Sequence, residues 1–260
     1  MPKIIARDIV KIYPSIRGNI TAIDHFNLEV EEGEFVCIVG PSGCGKSTFL
    51  RILADLIPYT SGTVEILAGA DPERPLNSMV FQEYAIYPWK KVIDNVAFGL
   101  QMRGVPKAER NKVAMEWLGR VGLRKFANYY PAQLSGGMKQ RVSIARALAN
   151  DPEVLLMDEP LGALDAQTRM VLQDELMRIW ETQQKTVVYI THSLDEAILL
   201  GDRVVIMTAQ PGKHKATFEI DIPRPRTIQT MATPEFAAHK GRIWEALQDE
   251  VMQAMSEQYE

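Results

Sequence analysis

At 260 residues, with 46% apolar and 24% charged side chains, the chain has room for one large domain, or a core domain with an inserted or appended lobe. A formal net charge of −4 leaves no basic footprint for nucleic acid, and the two cysteines, Cys37 and Cys44, form neither a disulfide framework nor a zinc spacing, which suggests a reducing compartment. The N-terminus, "MPKIIARDIVKIYP", lacks the apolar core of a signal peptide, and no apolar run approaches the roughly 18 residues of a membrane span.

The first segment alternates through Ile5, Val10 and Ile12, then Ile23, Phe26, Leu28 and Val30. It reads as short β-strands broken at "PSIRGN" and "EEGE". Phe35 to Val39 is a continuous apolar run, and so a strand buried on both faces. A glycine loop follows it, and "STFLRILADLI" then carries Phe49, Leu50, Leu53 and Leu56 at helical spacing. "SMVF" is a further strand, ending at Gln82. Residues 92 to 150 carry no strand signal and read as a helical lobe inserted in the core. "PKAERNKVAMEWLGRVGL" opens with a proline at its first turn and places Val113, Trp117 and Val121 on one face. "KQRVSIARALAN" is a helix stopped by Asp151-Pro152. "EVLLMDE", "TVVYITH" and "DRVVIMT" are buried strands, alternating with the helices "AQTRMVLQDELMRIWETQQ" and "SLDEAILLG". That alternation predicts a mostly parallel sheet covered on both faces. From Pro234 the tail reads as an amphipathic helix with an acidic end.

Gly40-Pro41-Ser42-Gly43-Cys44-Gly45-Lys46-Ser47 matches G-x-x-x-x-G-K-[ST] between a predicted strand and a predicted helix. Glycines let the backbone curl so that its N–H groups face phosphate oxygens, and the helix adds its positive end. Lys46 is expected to reach the β- and γ-phosphates and Ser47 to ligate Mg²⁺. "VLLMDE" ends a strand with Asp158, suited to Mg²⁺, and Glu159, suited to act as general base on an attacking water. His192 and Gln82 end two more strands. In a parallel sheet the carboxyl ends of the strands form the ligand side. There the imidazole can meet a γ-phosphate, and the amide can meet Mg²⁺ or the water. A second glycine turn, "LSGGMKQ" at 134–140, has no use in a plain P-loop enzyme.

Taken in order, the P-loop, the Gln after a strand, L-S-G-G-x-x-Q, Asp-Glu after an apolar strand, "GALD" and the His resemble the nucleotide-binding subunit of an ABC transporter over about residues 3 to 215. The resemblance implies an α/β fold of the P-loop NTPase class. Its core would be a RecA-like, mostly parallel sheet, with an N-terminal antiparallel β-subdomain and an inserted α-helical subdomain. A nucleotide-binding domain over 1–233, its helical subdomain at about 92–150, would precede a C-terminal helical tail over 234–260. ATP would be sandwiched between two copies arranged head to tail. Lys46, Ser47 and the backbone from Ser42 to Thr48 would hold phosphates and Mg²⁺ on one copy. Ser135, Gly136 and Gly137 of the other copy would close over the γ-phosphate, and Asp165 would cross the interface. Tyr13 matches the aromatic position that stacks on adenine.

A single motif set without a membrane span resembles the organisation of bacterial importers. There the subunit sits on the cytoplasmic face of the membrane through separate permeases, which are served by a periplasmic or extracellular solute-binding protein. The segment from Gln82 to Trp89 resembles the loop that receives a permease coupling helix, with Tyr87, Pro88 and Trp89 as an aromatic wall. "PWKKVIDNVAFGLQMRG" and "PGKHKATFEIDIPRPR" resemble the branch that imports nitrate, sulfonates or taurine. Other classes are an importer ATPase for a different solute, a soluble ABC ATPase acting on DNA or ribosomes, and a small-molecule kinase. The single motif set, the short span between P-loop and "LSGGMKQ", and the acidic balance disfavour the soluble ATPases. The kinase leaves "LSGGMKQ" unexplained.

Overall fold

The computed structural model describes residues 1–16, 18–69, 71–162 and 164–258. Arg17 of "PSIRGN", Ala163 of "GALD" and the last two residues of the acidic end therefore lie outside the described residues. The strands are β1 (Pro2–Tyr13), β2 (Ile20–Glu31), β3 (Phe35–Val39), β4 (Ser61–Ile66), β5 (Asn77–Val80), β6 (Val154–Asp158), β7 (Thr186–Ile190), β8 (Arg203–Met207) and β9 (His214–Glu219). The α-helices are α1 (Lys46–Leu53), α2 (Val92–Val96), α3 (Phe98–Met102), α4 (Lys107–Arg120), α5 (Gly136–Ala149), α6 (Ala166–Gln183), α7 (Leu194–Leu200) and α8 (Pro234–Gln258). The chain forms two compact units, Met1–Ala68 with Gln183–Glu260, and Gly69–Thr182.

In the first unit, β1 lies between β2 and β4, antiparallel to both. Ile4, Ile9, Phe26 and Val30 supply its apolar face. The expectation of short strands here is corrected: β1 and β2 run 12 residues each. Register shifts, with Asp8 and His25 at φ of 48° and 51°, interrupt the inward–outward alternation without ending the pairing. β4, at Ser61–Ile66, carries little apolar signal, and its residues alternate between exposed and half-buried. The same unit holds β3 between β7 and β8, parallel to both, and β9 antiparallel to β8. β3 and β7 are buried throughout, as a sheet covered on both faces requires. α7 packs on β3 and β8, and α8 packs on α7.

The two arginines of "PRPR" belong to the internal scaffold of this unit. Arg226 is 4% exposed and donates to the carbonyls of Ile198, Gly201, Ile220 and Ile222. Burial, and then the neighbouring Arg224, pull its guanidinium down to about 10. Arg224 pairs with Asp202 at 2.7 Å and donates to the Leu200 carbonyl.

In the second unit, β5 and β6 pair in parallel, with Val80 level with Met157. Between 92 and 149 the described residues form only helices and turns. Pro106 stands at the N-cap of α4, where its lack of an N–H costs nothing. Trp117 and Leu118 face inward, and Arg120 covers the Trp117 ring at 4.6 Å. The buried Asn95 side chain of α2 fixes the preceding turn. It accepts from the Tyr87 N–H at 2.7 Å and donates to the carbonyls of Tyr87, Lys90 and Lys91, each at 3.1 Å.

Candidate functional site

The first unit presents the glycine loop. β3 delivers Gly40 at its carboxyl end, and α1 begins at Lys46. Gly45, the N-cap, sits in the left-handed region at φ 103°, and a Cβ there would lie 2.7 Å from the Ala22 carbonyl oxygen. A Cβ on Gly40 would lie 2.7 Å from that of Met207. Only glycine fits these two approaches. No side chain caps the α1 N-terminus, so its positive end faces out of the loop. The Lys46 ammonium is buried and donates to the carbonyls of Gly40 and Pro41, both at 2.8 Å, so the loop winds around its own lysine. Ser42 and Gly43 are exposed at the rim. Cys37 and Cys44 are free and both buried, and burial pushes both thiols up, Cys37 well above the usual range.

β7 brings His192 to the same edge. Ile38 pairs with Ile190, and the Thr191 N–H donates to the Ile38 carbonyl at 3.3 Å. His192 is then the first exposed residue beyond β7. Its turn is braced by Glu196, which the sequence reading missed. This buried carboxylate accepts from the hydroxyls of Tyr189 at 3.1 Å and Thr191 at 2.8 Å. Ser193 caps α7 by accepting from the Glu196 N–H. Ser193 to Glu196 has the S-x-x-E spacing of a cap, a signal that does not extend to the carboxylate's hydroxyl partners. Tyr13 ends β1 opposite Ile20, two residues before the Ala22 that touches Gly45. Tyr13 is 38% exposed, and its ring centroid lies 4.7 Å from the Lys11 ammonium.

The second unit presents the acidic and amide residues. Because Val80 and Met157 are level, Gln82 and Glu159 emerge side by side, and the Gln82 amide donates to the Glu159 carboxylate at 3.3 Å. Asp158, at the end of β6, is 2% exposed. Glu159 takes φ 44°, a left-handed conformation that costs a non-glycine residue about 1–3 kcal/mol and is concentrated at functional sites. The chain then folds back. The Gly162 N–H donates to the Glu159 carbonyl at 3.1 Å, and a Cβ on Gly162 would lie 3.5 Å from Glu159 Oε2.

Ser135 caps α5, its hydroxyl accepting from the Met138 N–H, so Gly136 and Gly137 form the helix's first turn. Both glycines are crowded. A Cβ on Gly136 would lie 2.6 Å from the Tyr84 hydroxyl, and one on Gly137 would lie 2.9 Å from Thr168 Cγ2. Asp165 caps the neighbouring α6, accepting from the Thr168 N–H at 3.0 Å. That bond and the Thr168 hydroxyl hold its carboxyl below the usual range. Ser135 and Asp165 thus stand exposed at two adjacent helix N-termini.

Within the segment after Gln82, Tyr87 turns inward against Phe98, with ring centroids 4.6 Å apart. Trp89 is 72% exposed. Arg146 of α5 donates to the Ala85 carbonyl at 2.8 Å and lies 5.6 Å from the Tyr87 ring centroid. Burial lowers the Arg146 pKa.

Taken by itself, the first unit's loop, with a buried ammonium at the start of a helix, suits a polyphosphate, and the second unit's Asp158 and Gln82 carry oxygens of the kind a hard divalent cation takes. Among the described residues no group of three or more His, Cys, Asp and Glu is placed to hold a metal ion.

Comparison with known proteins agrees with this chemistry. The ABC transporter family matches residues 23–162. The chain is 48% identical over 255 residues to an uncharacterized ABC transporter ATP-binding protein of Methanocaldococcus jannaschii, covering 97% of this chain and 94% of that protein. It is 42% identical to the nitrate import ATP-binding protein NrtD of a Synechocystis species, over 91% of each chain. It is 45% identical to the taurine import ATP-binding protein TauB of Rhizobium johnstonii, over 86% of this chain and 88% of that one. Among solved structures it resembles the dimeric ATP-binding cassette MJ0796 in a post-hydrolysis state bound to ADP and Pi. The TM-score is 0.76 and the identity 35%, over 85% of this chain and 100% of that one. The chain therefore has the α/β P-loop ATPase fold and belongs to the ATP-hydrolysing ATP-binding proteins of ABC transporters.

Proposed function

We propose that this chain energises a bacterial importer of a small anion of the nitrate, sulfonate or taurine type, as a head-to-tail pair of copies with ATP between them. The import names of relatives at 42% and 45% identity support the direction of transport and the solute class. The dimeric cassette bound to ADP and Pi supports the pair. No described helix is long and apolar enough to cross a membrane. The crossing is assigned to separate permeases, docked at the cytoplasmic face on the segment from Gln82 to the exposed Trp89, with a solute-binding protein delivering solute from outside.

In this reading, the loop from Gly40 to Thr48 and Lys46 bind the triphosphate, and Tyr13 stacks on adenine. Mg²⁺, carried by Ser47, Asp158 and Gln82, supplies charge neutralisation on the phosphates. Glu159 accepts the proton of the attacking water, Gln82 orients the Glu159 carboxylate, and His192 contacts the γ-phosphate. Ser135, Gly136 and Gly137 of the second copy face the same phosphate with a helix N-terminus, and Asp165 contacts the opposite copy. The observation that carries this reading is the Gln82–Glu159 pair, set at the carboxyl edge of two parallel strands one residue beyond a buried aspartate. Rate enhancement then comes from positioning and electrostatics, as in phosphoryl transfer generally.

The test is a pair of variants of the full chain. Glu159→Gln is expected to bind ATP normally, accumulate as an ATP-bound dimer in size-exclusion chromatography, and lose about 10²–10⁴-fold in turnover. Ser135→Arg is expected to bind ATP and not turn it over. Hydrolysis by Glu159→Gln near the wild-type rate would sink the base assignment. Full-rate hydrolysis by a strictly monomeric form would sink the shared site.

A further inference from the structure

Arg169 lies in the first turn of α6, the end of a helix where a cation is disfavoured. Its guanidinium is turned back onto the loop that leads from Glu159 into that helix. It donates to the carbonyls of Leu161 at 3.3 Å, Gly162 at 3.5 Å and Leu164 at 2.9 Å. The planar fork of arginine can hold several acceptors in fixed directions at once, whereas a lysine ammonium is a point charge on a flexible stem. The loop's own turn bonds run from the Gly162 N–H to the Glu159 carbonyl and from the Leu164 N–H to the Leu161 carbonyl, and Arg169 adds a side-chain donor to them.

The same loop is bonded to the Glu159 backbone. The Gly162 N–H donates to the Glu159 carbonyl at 3.1 Å, and a Cβ added to Gly162 would make only ordinary contacts with that carbonyl oxygen, at 3.4 Å, and with Oε2, at 3.5 Å. The Gln82 amide bounds that oxygen from another side at 3.3 Å. The backbone of Glu159 is in the left-handed region, a conformation that persists only where the surroundings impose it. We infer that Arg169 is a positioning residue for hydrolysis. By gathering the carbonyls of Leu161, Gly162 and Leu164, it holds the Gly162 N–H on the Glu159 carbonyl and so fixes the left-handed backbone from which the carboxylate projects. The inference rests on the reading of Glu159 as the base.

The experiment measures single-turnover ATP hydrolysis and AMP-PNP affinity of the purified full chain in five forms: wild type, Arg169→Met, Arg169→Lys, Glu159→Gln, and Glu159→Gln with Arg169→Met. Methionine keeps an apolar stem and removes the donors. Because misplacing a reacting group by about 1 Å can cost about 10²-fold, Arg169→Met is expected to lower the rate by about 10- to 100-fold with AMP-PNP affinity unchanged. In the Glu159→Gln background it is expected to change nothing, since groups acting through one another are not additive. Arg169→Lys is expected to recover part of the rate. A wild-type rate in either Arg169 variant overturns the inference, and this holds for the lysine variant even if the methionine variant fails to fold. So does a parallel loss of AMP-PNP affinity, or the same fold loss with and without Glu159. Failure of the base reading has its own signature, a wild-type rate in Glu159→Gln alone.

Discussion

The two compact units deliver their site residues by the same device and hold them by different ones. In each, two parallel strands are in register, so their exits share one edge. Ile38 is level with Ile190 ahead of Gly40 and His192, and Val80 is level with Met157 ahead of Gln82 and Glu159, which are hydrogen-bonded. In the first unit the loop is shaped from within, by a left-handed Gly45, close carbonyls of Ala22 and Met207, and its own Lys46, whose ammonium donates to the Gly40 and Pro41 carbonyls. In the second unit the turns are held by polar side chains that reach in to their carbonyls from outside. Asn95 and Arg146 act on the segment after Gln82, and Arg169 acts on the loop after Glu159. A cradle that presents fixed N–H groups to phosphate can be shaped from within its own loop. Turns held by side chains can be retuned by single substitutions.

The largest expected effect is on the first unit. Arg226→Ala strands four carbonyls that a buried guanidinium now satisfies, between β9's exit and the end of α7. It is expected to lower stability by about 3 kcal/mol in urea unfolding. At temperatures where the variant is folded, ATP affinity is expected to be unchanged, because no bond of Arg226 reaches residues 40–48. A loss of affinity in the folded variant would break the comparison, since the cradle would then depend on a side-chain tie from outside the loop.

The second effect is smaller in stability and larger in function. Asn95→Ala leaves the Tyr87 N–H and three carbonyls without their side-chain partner. A cost of about 2 kcal/mol is expected, together with reduced turnover, because that turn closes the segment that begins at Gln82. If turnover in the folded Asn95→Ala variant equals wild type, then Gln82 is held by its strand alone, and the second unit is built like the first.

This division also decides what was legible in advance. The glycine loop, the Asp-Glu strand end and the helices from Ala166 and Pro234 could be read because their signals are local: glycine spacing, apolar runs and period. β1 and β2 were read too short because left-handed residues at Asp8 and His25 break the alternation that marks a strand, although the ladder continues past them. Asn95, Arg146, Arg169 and Glu196 could not be read as site supports. A side chain bonded to a distant carbonyl or hydroxyl leaves no spacing in the sequence, and only Glu196 carried a hint, as the last residue of a capping pattern. The crowding at Gly136 and Gly137 was equally hidden. Both glycines have a reason inside the chain, namely Tyr84 and Thr168, besides the role proposed for them across two copies.

The smallest expected effect tests whether the second unit's helix N-termini are also fixed by side chains. The Asp165 carboxyl is held below the usual range by the Thr168 N–H and hydroxyl. Its ionised form is therefore favoured by folding. The stabilisation is fully present above the ordinary aspartate value of about 3.9 and is lost as pH falls through the depressed folded value. Asp165→Asn keeps a side-chain oxygen at the cap and removes the titration. Urea midpoints measured at neutral pH and near pH 3 are expected to fall less for Asp165→Asn than for wild type, in the nucleotide-free chain. Equal falls would mean that the charge of this cap contributes nothing to the fold. Asp165 would then be ionised and exposed at the end of α6 without a structural reason for its charge, which would leave contact with a second copy as the explanation for an acid at that position.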